Sequence, residues 1–572
     1  MYKNKEPWKA LDVYKGKYFS GDWPTLPELF NIIADRFPER RCFSTYDPDL
    51  FFTYKEAHTK IISVSNYLKS IGVKKGDKVA VTGKNSPEWT IAYLSIMYAG
   101  ATVVPLDYQL HSEEITALLD FSGASVLFVD EEKYDEIAAL KNNLNFISLA
   151  SEKKNYILDL TDPGDFPGDM PLETDLAAIL YTSGTTGNQK GVMLTQSNFV
   201  SDCFLAQGHM ALTENDVFYA LLPLHHSYSM LAVFIEAMSV GAEIVFAKKL
   251  VVTQILKDLK VGKVTMFLAI PMLFNKLLKA LMNGIKEKGI VIYGIIRFLM
   301  FISGFIKKTT GKNPGKKMFK GLLAKLSLDT NRICICGGGP LPASTFKMFN
   351  QLGIDFVQGY GLTETSPIIA LNPVEHYKEA SVGAITPGTE IKILNPDETG
   401  NGEILVKGPM VMQGYYKNQE ATDEIFTSDG WLKTGDVGHL DDENFLYLTG
   451  RKKSLIVTEG GKNVFPEEIE DHFQLYDEIE QVLIRGYVLD GKMKTEGIEA
   501  LIFPNEEFQK KQFEKDSLEY NKENIKLEFD KVIEQVNREL LPYKRISRLK
   551  VLSEAMEMTT TKKIKRFKVS AD

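Results

Sequence analysis

Cysteine is scarce in this chain, with four residues among 572, at Cys42, Cys203, Cys334 and Cys336. So few, so scattered, exclude a disulfide framework and a four-ligand zinc site, and they suit a reducing cytoplasm. Cys334 and Cys336 alternate within an apolar run from Arg332, where a strand would turn both to one face, so they read as small buried residues and not as a redox pair. An excess of positive charge is also missing. A net charge of −8 gives no general attraction for nucleic acid, so an anionic partner must be held by a local patch. Residues 1–20 contain no apolar core segment and no small-residue cleavage site, which argues against a secretory leader. Repeats are absent and low-complexity sequence is slight.

What is present is an ordinary soluble composition, 44% hydrophobic and 25% charged, in a chain too long for one core. At least two domains are expected. Residues 27–150 alternate helical patterns such as Tyr54 to Ile71 with short apolar strands such as Lys78 to Thr82 and Ala124 to Val129, the rhythm of parallel α/β units. A second series runs from about 195 to 370. From about 380, turn signals separate Ile391–Leu394 from Glu403–Val406, which predicts a small antiparallel, barrel-like unit. After Gly450 the chain becomes a mixed segment, charged and helical between Glu506 and Leu540. The expected division is therefore a large domain, 1–450, of two doubly wound α/β subdomains plus a β-barrel-like one, followed by a small α+β domain, 451–572.

One stretch, YTSGTTGNQKG at residues 181–191, crowds glycines, hydroxyls and a lysine together. Glycine lets backbone N–H groups approach an anion, hydroxyls add donors, and lysine adds charge, so the stretch reads as a loop that cradles phosphates. Its spacing excludes a P-loop NTPase: two residues separate Gly184 from Gly187, and Gly191 follows Lys190.

Other segments keep it company. Tyr181–Gly191, Pro223-Leu-His-His-Ser227, Gly337-Gly-Gly-Pro-Leu341, Gln358-Gly-Tyr-Gly-Leu-Thr-Glu-Thr365, Trp431-Leu-Lys-Thr-Gly-Asp436, Gly450-Arg-Lys-Lys453 and Gly461-Lys-Asn-Val-Phe-Pro-Glu-Glu-Ile-Glu470 occur in this order. Together they resemble the motif series of the adenylate-forming enzymes, which include acyl-CoA synthetases and peptide-synthetase adenylation domains. The resemblance spans essentially the whole chain.

That resemblance implies a two-step reaction. A carboxylate attacks the α-phosphorus of ATP to give acyl-AMP and pyrophosphate, and a thiol then displaces AMP. It implies that Thr182, Ser183, Gly184, Thr185, Thr186, Gly187 and Lys190 hold the β- and γ-phosphates. Glu364 would be the Mg²⁺ ligand, helped by Thr185, in keeping with the oxygen donors Mg²⁺ takes. Tyr360 would stack on adenine within Gln358, Gly359, Gly361 and Thr363, and Gly337, Gly338 and Gly339 would lie against the ring edge. Asp436 and Arg451 would serve the ribose, and His226, beside His225, would stand near the reacting carboxylate. A catalytic lysine is implied in Met558-Thr-Thr-Thr-Lys-Lys-Ile-Lys-Arg566; counting back from Ile564 selects Lys563, although Lys562 stands where the family usually has Gly. Gln189 stands where the family commonly has Pro. Lys453 matches the hinge about which the small domain swings, and Gly460 and Gly461 would line the tunnel for the pantetheine of coenzyme A. The nearest alternative is transfer to an acyl carrier protein in place of coenzyme A, and a membrane-bound nucleotide-binding protein without catalysis is a rival of another class.

The choice of acid rests on one segment. From Gly289 to Ile306 the only charge is Arg297, long and apolar enough for a membrane span. A single span would separate residues 181–191 from 358–365, which must meet one ATP, so the segment is either a buried core helix or one lying in the membrane interface. Nine lysines and arginines and no acid fall between Lys288 and Lys325, a pattern suited to an anionic bilayer surface. The segment also resembles the insertion of long-chain acyl-CoA synthetases. The expectation is a cytoplasmic long-chain fatty acid–CoA ligase using ATP, Mg²⁺ and coenzyme A, held against the inner face of a membrane through residues 288–325. Chain length and oligomeric state, a homodimer included, are not legible.

Overall fold

The computed structural model describes residues 6–46, 49–141, 143–161, 170–183, 189–249, 251–458, 461–490, 495–559 and 563–569. Two large sheets carry the first 450 residues. The seven-stranded sheet runs Gly414–Tyr415, Gln189–Thr195, Leu176–Ser183, Thr102–Leu106, Lys78–Thr82, Val126–Val129, Asn145–Ser148. Its centre is parallel, with Val79 beside both Val103 and Val126, while Leu176–Ser183 and Gln189–Thr195 form an antiparallel hairpin.

The second sheet has thirteen strands. A parallel core of Asp355–Gly361, Ile333–Cys336, Met266–Ala269, Val217–Ala220, Glu243–Phe246 and Arg41–Tyr46 lies at its heart. Strands buried on both faces should read as apolar runs, and Met266–Ala269 (MFLA) and Ile333–Cys336 (ICIC) at its centre do. Within Ile333–Cys336 the isoleucines enter the largest core while both cysteines enter a second core with Phe267, Phe274 and Phe356, as alternation requires. The N-terminal hairpin Arg41–Thr53 joins this second sheet and not the sheet of the strands that follow it. The antiparallel strands expected after residue 380 are present between Gly383 and Arg451, and they continue the ladder of the second sheet through Ile368–Leu371.

Helices begin where the sequence supplies caps. Thr25 with Glu28, and Thr53 with Glu56, form reciprocal capping boxes at the starts of Leu26–Arg36 and Tyr54–Ser70. The C-terminal unit has its own core, in which Ile484, Ile498, Ala500 and Ile502 of the strands Ile479–Asp490 and Thr495–Pro504 meet Phe513, Phe529, Val532 and Val536. The last three of these lie on Lys522–Glu539, and Phe513 on Glu506–Lys515. Its seam with the large domain is polar: Lys279 Nζ donates to the Leu475 carbonyl at 2.9 Å and pairs with Asp477, and Asn275 bonds Gln474 at 3.3 Å.

Candidate active site

Neighbouring parallel strands of the second sheet end side by side, and ligands of open α/β sheets gather at such carboxyl ends. Val217–Ala220 leads into the loop with His225 and His226, Ile333–Cys336 into Gly337–Gly339, and Asp355–Gly361 carries Gln358, Gly359 and Tyr360 to its end. Asn85 ties the first sheet to this edge, donating to the carbonyls of Ala220 and Leu222 and accepting from Leu224 N–H.

The turn after Tyr360 is tight. A Cβ on Gly361 would stand 1.6 Å from the Pro367 carbonyl oxygen, so no other residue fits. It leads into the one-turn helix Thr363–Thr365, which presents Glu364. The Tyr415 hydroxyl donates to Glu364 Oε1 at 2.8 Å, and the Tyr415 ring lies 4.7 Å beneath Lys190 Nζ. Lys190 pairs across the hairpin with Thr182, and Gln189 with Ser183. The hairpin mouth thus faces the Glu364 turn through one tyrosine. Gly184, Thr185, Thr186 and Gly187, and the Ser183 side chain, lie outside the described residues.

Asp436 sits in Leu432–Leu440 opposite Arg451. It is 6% exposed, and both its oxygens are engaged: Oδ2 accepts from the Tyr360 hydroxyl at 2.7 Å, and Oδ1 pairs with Arg451 Nε at 3.1 Å. Burial, and then the Asp436 charge, push the Tyr360 phenol well above its ordinary value, so it stays a donor. The Asp436 carboxylate in turn holds the Arg451 guanidinium above its ordinary value against burial. Each carboxylate oxygen keeps capacity for a second donor, which two vicinal hydroxyls would match.

His225 and His226 have ring centroids 4.2 Å apart, and His225 Nε2 lies 3.5 Å from Asp107 Oδ1. Burial, and then the His225 ring, lower the His226 pKa to about 3, with Asp107 opposing and Lys563 adding to the fall. His226 is therefore neutral near pH 7. Gly337 lies close to the Tyr228 ring, and Gly338 takes a φ of +80° that favours glycine.

The C-terminal tail completes the cleft. Met558 bridges to Ile564, and Thr559 bonds Lys563 through both backbone and hydroxyl. Lys563 keeps access to solvent, yet surrounding protein and then the Arg451 cation hold its pKa below the ordinary lysine value, with Asp436 opposing. Lys562 lies outside the described residues. The structure thus brings together Lys563, Asp436, Arg451, Tyr360 and His226, with Glu364 and Lys190 joined through Tyr415. Lys453 and Gly461 are exposed on the connection into the C-terminal unit, where Gly461 has a φ of +68°; Gly460 is outside the described residues. Tyr415 and Asp107 escaped the sequence reading. Asp107 closes the strand Thr102–Leu106 and Tyr415 follows Gly414, positions whose importance is visible only once the two sheets face each other.

Glu364, whose Oε1 accepts from Tyr415, is a carboxylate donor of the kind that fits Mg²⁺, and Thr185, the other expected ligand, lies outside the described residues.

Known proteins supply the context. The family described as AMP-binding enzyme matches residues 30–416. A long-chain-fatty-acid–CoA ligase of Mycobacterium bovis is 30% identical over 76% of this chain and 75% of its own. A chloroplastic long-chain-fatty-acid–[acyl-carrier-protein] ligase of Arabidopsis thaliana is 26% identical over 88% of this chain and 80% of its own. ATP-bound MatB of Rhodopseudomonas palustris superposes with a TM-score of 0.73 at 24% identity, covering 95% of this chain and 97% of that one, and shares the fold. With its motifs gathered at one cleft and two thirds of its length matched, the chain belongs to the AMP-binding enzymes, the adenylate-forming family that its motif series resembles.

Proposed function

We propose that the protein activates a long-chain fatty acid with ATP and transfers the acyl group to coenzyme A. In the first step a carboxylate oxygen bonds to the α-phosphorus as its bond to pyrophosphate breaks. In the second, a thiol sulfur bonds to the acyl carbon as AMP leaves with the former carboxylate oxygen. The observation that carries this reading is Lys563: an ammonium from the C-terminal tail lies within electrostatic reach of Asp436 and His226 of the large domain and of Arg451 at the boundary.

Each group has a task in that scheme. Asp436 accepts from the ribose hydroxyls while Arg451 and Tyr360 hold its orientation. Lys563 offers positive charge where negative charge builds between carboxylate and α-phosphate. His226, neutral and braced by the His225–Asp107 pair, can meet the fatty carboxylate without competing with that cation. Thr182 and Lys190, with the loop they flank, hold the outer phosphates. Mg²⁺, when bound at Glu364, neutralises charge on the phosphates as they separate. The polar contacts of Lys279, Asn275 and Gln474 suit a seam that parts, in a swing about Lys453 that brings Gly460 and Gly461 to the thiol.

Fatty-acid-dependent release of pyrophosphate across a chain-length panel tests the reading, with acyl-CoA as product. A long-chain optimum and its loss in Lys563→Ala are expected; pyrophosphate release unchanged in that variant would refute the assignment. The Arabidopsis relative, a ligase to an acyl carrier protein, favours a second reading, transfer to such a carrier, which acylated carrier in place of acyl-CoA would reveal.

A further inference from the structure

The helix Ile290–Thr310 packs Tyr293, Ile296, Leu299 and Met300 against the second core, yet it shows a second set of apolar side chains to solvent. Its inner face is Met300, Ser303 and Lys307, all buried, with Gly304 against Gln351 of the neighbouring helix Ala343–Leu352. Lys307 Nζ donates to Asn350 Oδ1 at 2.7 Å and pairs with Asp355 Oδ1 at 2.6 Å. Opposite, Ile295, Phe298, Phe301 and Phe305 are 54–63% exposed. Their spacing of three and four places them along one stripe. Ordinary surface helices bury such a stripe. This one leaves a second stripe bare, a contiguous apolar face of the kind that marks an interaction site.

Charge identifies the occupant. Between Lys288 and Lys325 there is no Asp or Glu, in a chain whose net charge is −8. Lys312, Lys317 and Lys320, just beyond the helix, are exposed, and Met318 beside them is 46% exposed. A protein partner's apolar groove explains the phenylalanines but not the one-signed flank; a bilayer with anionic headgroups explains both. The buried Lys307–Asp355 pair also fixes the helix along the body of the protein, so it lies flat and does not cross.

We infer that Ile290–Thr310 is an in-plane docking helix that seats this protein on an anionic membrane, phenylalanines at the acyl boundary and the following lysines among the phosphates. The inference goes beyond the proposed reaction and stands whichever acid or acceptor is used. The helix packs on Ala343–Leu352, which follows Gly337–Gly339, so the docked face and the nucleotide cleft share one rigid neighbour.

Co-sedimentation of the full chain with vesicles, without substrates, tests this. Vesicles of phosphatidylcholine with a third phosphatidylglycerol should bind the protein, pure phosphatidylcholine vesicles far less, and high salt should release it. Phe298→Ser/Phe301→Ser/Phe305→Ser should abolish binding, and Lys312→Glu/Lys317→Glu/Lys320→Glu should weaken it on the order of 100-fold, both with unchanged turnover of a water-soluble short acid. Equal binding of wild type and the phenylalanine variant would overturn the inference. So would a wild-type dimer that becomes monomeric in that variant while neither binds vesicles, since a second copy would then cover the face.

Discussion

Tyr360 and Asp436, 76 positions apart in sequence, are joined by a 2.7 Å hydrogen bond, so the residue expected beneath adenine orients the residue expected to hold ribose. Removing the hydroxyl should disturb the sugar site and leave the ring in place. Tyr360→Phe is predicted to raise the KM for ATP about tenfold, roughly 1.5 kcal/mol for a hydrogen bond to a charged group, with little change in kcat. Steady-state pyrophosphate release read against ATP concentration checks this.

The lysine of the tail should set the alkaline limit of adenylation. Its pKa is held below the ordinary value by burial and Arg451, so the ammonium is lost as pH rises through that lowered value. Pyrophosphate release should decline on that limb in the wild type. Lys563→Arg keeps its charge across the range and should flatten the limb. Lys563→Ala should lower adenylate formation on the order of 10²–10³-fold, while transfer from supplied acyl-adenylate to coenzyme A is spared, as quenched-flow assays of the separate steps would show.

His226 carries the opposite kind of prediction, since it should not titrate where histidines usually do. Folded, its pKa is about 3; unfolded, it returns to near 6.5. Between those values the unfolded chain binds a proton that the folded chain refuses, so the contribution to stability is complete above pH 6.5 and is lost as pH falls toward about 3. The urea midpoint of His226→Asn should therefore fall less between pH 7 and pH 5 than that of the wild type.

Lys307 should matter to stability more than any exposed lysine near it. Its pKa is lowered by burial against the pull of Asp355, the pattern of a cation that tolerates burial because of its partner. Lys307→Met strands the Asp355 carboxylate and should cost about 3 kcal/mol in denaturant unfolding. Adding Asp355→Asn should return much of that loss, a coupling measurable in a double-mutant cycle.

Local pattern carried much of the fold. The alternation at Ile333–Cys336 and the helical period of Tyr54–Ser70 announce a strand and a helix because each property repeats within a few residues. Pairing across distance did not show. Nothing in Arg41–Thr53 says that it joins Glu243–Phe246 in preference to nearer strands, and the small antiparallel unit gave no sign that its ladder continues the larger sheet. The site divides likewise. Lys563, Asp436 and Arg451 stand in recognisable strings, whereas Tyr415 and Asp107 act through partners 51 and 118 positions away, a relation that no short window contains.

The dipeptide Gly414–Tyr415 belongs by sequence to the later strands but hydrogen-bonds into the first sheet, beside Met193 and Val192. The same tyrosine donates to Glu364 in the turn that follows the second sheet's strand Asp355–Gly361. It acts as a rivet between the two plates, setting the gap between the hairpin that carries Lys190 and the turn that carries Glu364. With two jaws so fastened, the third, which bears Lys563, comes from a unit with a core of its own.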